Sequence, residues 1–77
     1  MPQVHLFFET TLGDFDGEFA SDQPISAIKR EVMAGVRLDP NEADQFVINQ
    51  NEQPLDDSKT IADLGLQTND WLTVGRR

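Results

Sequence analysis

His5 is the single histidine in the chain, and there is no cysteine. A nucleophile–base pair needs a positioned histidine beside a hydroxyl or thiol. One histidine on a strand and no thiol give no catalytic constellation, so no enzyme is expected and no catalytic residue is assigned. Without cysteine there is also no disulfide and no zinc–thiolate site. Asp14, Asp16 and Glu18 alternate with Phe15, Gly17 and Phe19, so three carboxylates share one strand face. Together they could attract a hard cation, and Gly17 faintly matches a calcium loop, but the other ligands of that pattern are missing. A solvated acidic edge is the expectation, with no metal site and no cofactor.

The aromatic residues carry more information. In Val4 to Glu9, Val4, Leu6 and Phe8 share one face of a strand, which sends His5, Phe7 and Glu9 to the other. In Trp71 to Val74, Leu72 and Val74 point inward and Trp71 outward. Exposed aromatic pairs often anchor partners. Phe7 and Trp71, with His5 and Val47 nearby, are therefore the candidate partner surface if their strands are neighbours. Otherwise Trp71 folds over the strand edge onto the Gln67–Asn69 turn and covers Phe7. Lys29 and Lys59 are the only lysines. Lys59, in a polar loop, is the candidate acceptor of an isopeptide bond, with plain surface charge as the competing reading.

These residues must be held by a small scaffold. An 8.7 kDa chain exposes roughly 4,700 Å² when folded, out of about 12,600 Å² extended. That is one domain, residues 1–77, with one thin core and no deep cleft. Alternation over 4–9 and 14–20 around Gly13 reads as a β-hairpin. Pro24 suits the first turn of a helix of about ten residues carrying Ile25, Ile28 and Val32, and Gly35 is placed to stop it. Val36 to Gln45 reads as a loop with one helical turn. Phe46 to Asn49 is a third strand, followed by a turn and a brief edge segment at Leu55. Thr60 and Asp63 form a capping box for one helical turn with Ile61 and Leu64, stopped by Gly65. Trp71 to Val74 is the last strand. Two strands, a helix across one face, then more strands is an α+β plan.

Six Lys and Arg against fourteen Asp and Glu give a net charge of −8. Phosphate backbones and anionic membranes would repel such a chain, which argues against nucleic acid and membrane partners. A basic protein is its natural complement. No charged-then-apolar leader or membrane span is seen, so a cytoplasmic monomer is expected.

The ordered series Leu6-Phe7-Phe8-Glu9-Thr10 with Gly13, then Ser21 to Ile25 with Ile28-Lys29, then Leu55 to Gln67, resembles the ubiquitin family over about sixty residues. The resemblance implies a ubiquitin-like β-grasp, a five-stranded mixed sheet whose first and last strands run parallel at its centre. It also implies a protein modifier. Its C-terminal end would be joined to target amines by activating and conjugating enzymes, with ATP used by the activating enzyme, and removed by deconjugating enzymes. Gly75 would be that end, exposed by trimming Arg76 and Arg77, although the family's Gly-Gly tail is replaced by Gly75-Arg76-Arg77. Asn49, Thr73 and Gly75 match the positions of the family's apolar partner patch and make it polar here. The resemblance also places Lys29 at a covered helix position, a poor acceptor. Diverged ubiquitin-like proteins of bacterial type, which occur in operons with such enzymes, fit the resemblance. So does the secretion-associated YukD/EsaB-like family of non-conjugated adaptors, which act by protein–protein binding.

Overall fold

Leu6 and Phe8 are fully buried while His5 and Phe7 remain half-buried on the other side, the two-residue period of a strand. The computed structural model describes residues 2–77. In it β1 spans Gln3–Thr10 and pairs antiparallel with β2, Gly13–Ala20. The hairpin closes through Thr10, whose hydroxyl donates to the Gly13 carbonyl at 2.6 Å and accepts the Leu12 N–H at 3.1 Å.

Helix α1 spans Ile25–Gly35 and buries Ile25, Ile28, Lys29, Val32 and Met33. Pro24 sits one residue earlier than expected, as the N-cap, with no capping side chain. The first helical N–H groups instead find loop carbonyls: Ile25 donates to Lys59 at 2.8 Å and Ser26 to Asp57 at 3.1 Å. That satisfies groups that would otherwise be orphaned at a helix start.

Gly35 is not the stop that the sequence suggests. It is the last helical residue, and the left-handed turn falls at Arg37, φ 66°. Gly35 lacks a side chain for a different reason, since a Cβ there would run into the Phe15 ring. Leu38 N–H then returns to the Met33 carbonyl at 2.7 Å and closes the helix end.

The polar stretch that follows holds a 3₁₀ helix, Pro40–Gln45, started by Asp39 accepting the Asn41 N–H. Strand β3 spans Phe46–Gln50. The edge strand β4 is Gln53–Pro54 rather than Leu55, because Asn51 and Glu52 both take positive φ and close a two-residue turn earlier. Leu55 still donates its N–H to Ile48. The Thr60–Asp63 capping box is formed reciprocally, and α2 is Ile61–Leu64 with Gly65 left-handed after it. Strand β5 runs Asp70–Arg76, two residues beyond the expected Val74.

The sheet order is β2-β1-β5-β3-β4, with β1 and β5 parallel at the centre and β5 antiparallel to β3. Helix α1 covers one face, and the core of Leu6, Phe8, Phe19, Ile28, Val32, Ile48, Leu72 and their neighbours lies beneath it. The surface is 4708 Å², as a single domain of this mass requires. Among the described residues no helix is long and apolar enough to cross a membrane.

Candidate partner-binding face

The face of the sheet away from α1 is uncovered. Parallel pairing puts Phe7 beside Trp71. Their rings stack 4.9 Å apart at 18°, and Trp71 is still 56% exposed. The Gln67–Asn69 turn therefore does not take Trp71. That turn is held by its own bonds: Gln67 N–H donates to the Asp70 carboxylate at 2.9 Å, and Asn69 N–H to the His5 carbonyl at 2.6 Å. His5 adds a third ring, 5.0 Å from Phe7, and its Nε2 lies 2.9 Å from Asp16 Oδ2. His5 thus pairs with a carboxylate rather than with a hydroxyl it could activate.

The cross-strand register arranges the face in rows. Asp16, Phe7 and Trp71 form one row, and Asp14, Glu9, Thr73 and Asn49 the next. Glu18 stands opposite His5. Four carboxylates therefore rim the aromatic stack. Among the described residues, no group of three or more His, Cys, Asp or Glu is placed to hold a metal ion. The alternation of β1 already put Glu9 on the outward face with His5 and Phe7, but not beside the Asp14–Glu18 series, which belongs to a different strand. Its pairing with Asp14 follows from the β1–β2 register.

Val47 does not join the stack. It pairs with Gly75, four residues along β5 from Trp71 and so roughly 13 Å away. Asn49 and Thr73 pair with each other, Asn49 half-buried and Thr73 exposed, and give the middle of the face a polar surface.

Gly75 lies inside the sheet. It is half-buried opposite Val47, and Arg76 pairs with Phe46 while its guanidinium sits 4.9 Å over the Phe46 ring. Arg77 donates its N–H to the Gln45 carbonyl at 2.9 Å and its Nε to Asp44 at 3.0 Å. A hollow of about 400 Å³ beside this end is lined by Thr11, Leu12, Leu38, Phe46, Gly75 and Arg76. Leu12, 59% exposed at its rim, is an apolar residue in a polar turn that sequence reading passed over.

Lys59 is exposed in the loop before α2. The loop is ordered by Asp56, which accepts the Ser58 N–H at 2.9 Å and the Ser58 hydroxyl at 2.8 Å. Those bonds hold the Asp56 carboxyl below its usual range. Lys29 is buried, as the resemblance implied.

The coordinates superpose on a solved structure described as Caldiarchaeum subterraneum ubiquitin. The TM-score is 0.83, with 99% of this chain and 95% of that one covered. The chain has the ubiquitin-like β-grasp fold. Sequence identity is 20%, so the likeness is one of fold. No protein-family model matches the sequence, and no curated protein does either. A ubiquitin-like fold hosts many roles, so what this β-grasp does has to be argued from its own surface.

Proposed function

We propose that this ubiquitin-like chain is not an enzyme but a protein-binding module in the cytoplasm. It engages a partner through the open face of its sheet, with Phe7 and Trp71 as anchor and His5, Asn49 and Thr73 as flanking contacts. The observation that carries the reading is the Phe7–Trp71 stack, which leaves an indole more than half exposed on a face no helix covers. Burying such an exposed apolar surface is what a partner would gain.

The experiment is Trp71→Ala. Its stack with Phe7 is worth about 1 kcal/mol beyond area, so the unfolding midpoint should fall by roughly 4–8 °C for a domain of this size. Proteins crosslinked to the wild-type chain in its native cells should be lost. A variant that keeps those crosslinks, or that unfolds outright, would overturn the reading.

A second reading is conjugation, favoured by the closeness of the fold to a solved structure described as a ubiquitin. Activating, conjugating and deconjugating enzymes would then act on Gly75, ATP being consumed by the activating enzyme, and Lys59 would serve as chain acceptor. This requires the Val47–Gly75 and Phe46–Arg76 pairs to open, since Gly75 is held in β5. Intact and peptide mass spectrometry of the protein from native cells tests it. A Gly75 carboxyl joined to another protein's amine would establish conjugation. Only free chains, with the neighbouring enzymes expressed, would sink it.

A further inference from the structure

The chemistry around the aromatic stack narrows what can dock there. Glu9, Asp14, Asp16 and Glu18 all stand on the open face, and their four charges amount to half of the chain's net −8. No Lys or Arg occupies an outward position on β1, β2, β3 or β5 of this face. Among the described residues Glu9, Asp14 and Glu18 have no ion-pair partner, and only Asp16 is engaged, by His5. Glu9 and Asp14 are directly opposite each other in the register. Like charges so placed are destabilising, and among the described residues no cation pairs with them.

An apolar partner would desolvate these carboxylates without pairing them, which is costly. A second copy of this chain would bring four more negative charges against the first four. A cationic partner meets both features of the face at once. We propose, on the reading that the open face docks a partner, that its occupant is a basic, arginine-bearing segment of another protein. A guanidinium lies against the exposed indole of Trp71, and further cationic side chains meet Glu9, Asp14 and Glu18. Arginine suits the indole better than lysine because its planar, weakly hydrated cation stacks on aromatic faces.

Trp71 is the only tryptophan, so its fluorescence and indole N–H resonance report on the site directly. The probe is an acetylated, amidated Arg-Gly-Arg-Gly-Arg peptide, compared with the same peptide carrying citrulline, which keeps the shape and loses the charge. The arginine peptide should shift the Trp71 signals at low salt. The citrulline peptide should bind at least tenfold more weakly, and a lysine peptide several-fold more weakly. Glu9→Gln and Asp14→Asn should each weaken arginine-peptide binding several-fold while leaving the unfolding midpoint equal or higher, a pairing of effects that a merely structural role does not produce.

Equal binding of the citrulline peptide, or binding that leaves Trp71 unperturbed, would overturn the proposal. So would failure of the arginine peptide to bind at millimolar concentration. If the peptide fails while Trp71→Ala still strips partners from the native protein, the face docks a partner of other chemistry, and only this inference falls. If Trp71→Ala changes neither, the docking reading falls with it.

Discussion

Lys29 carries its ammonium to a position only 2% exposed, where it donates to Asp57 at 2.7 Å and to the Phe46 carbonyl at 3.0 Å. Asp57 answers with one oxygen, since its Oδ1 is buried without a partner, and Arg77 approaches the other at 3.8 Å. A buried cation is tolerated only when paired, and removing one member leaves the other uncompensated. Lys29→Ala should therefore cost about 3 kcal/mol, the low end for a broken buried pair because Asp57 is partly exposed. Lys29→Met, which keeps the apolar stem, should cost less. Urea unfolding of both variants checks the order, and equal losses would mean that the lost charge rather than the packing of the stem dominates. Asp56 has the opposite setting, exposed and held by Ser58. Its folded carboxyl sits below the ordinary value of 3.8. It therefore contributes stability above the unfolded range, lost as pH falls through the folded value. Ser58→Ala should raise its midpoint in a carboxyl-carbon NMR titration.

Among the elements, α1 and β2 meet where Gly35 and Phe15 touch. Helix propensity alone favours Ala over Gly by about 1 kcal/mol. A Cβ at Gly35 would strike the Phe15 ring, and overpacking costs about 1–3 kcal/mol. The steric term should win, so Gly35→Ala should destabilise the protein. With Phe15→Ala in the background the same change should stabilise it. A double-mutant cycle by denaturant unfolding reads the reversal directly, and its absence would return Gly35 to a helix-ending role. From sequence, Gly near a helix end reads as a stop because that is its commonest use. The close approach of Phe15, on a strand twenty residues earlier in the chain, leaves no local signature. The sequence places a turn between β3 and Leu55 but not its closure at Asn51 and Glu52, since a glutamate is an unusual residue at positive φ.

At the scale of the molecule, a net charge of −8 is confined to a body with a radius of gyration of 11.1 Å. The screening length is about 30 Å at 0.01 M salt and about 8 Å at 0.15 M. Repulsion therefore spans the whole protein in dilute buffer and only near neighbours at physiological salt. Calorimetry should show the unfolding midpoint rising by a few degrees between these two conditions. A falling midpoint would mean that favourable pairs outweigh repulsion. Binding of a basic segment should respond the opposite way and weaken as salt is added, so one titration separates intramolecular repulsion from intermolecular attraction.

Local pattern alone determined which residues face inward. The two-residue period of β1, β2 and β5 and the helical spacing of Ile25, Ile28 and Val32 are set by backbone geometry, which depends only on near neighbours. The same periods turned Phe7 and Trp71 outward, and the Thr60–Asp63 capping box is complete within four residues. Which outward residues meet was decided only by tertiary structure. Register joins strands distant in the chain, and it put Trp71 against Phe7, Glu9 against Asp14, and Val47 against Gly75 instead of the stack. Register also drew Gly75 and Arg76 into β5. Pairing of that kind is settled by burial of the whole core face at once, and no short stretch of sequence carries that sum.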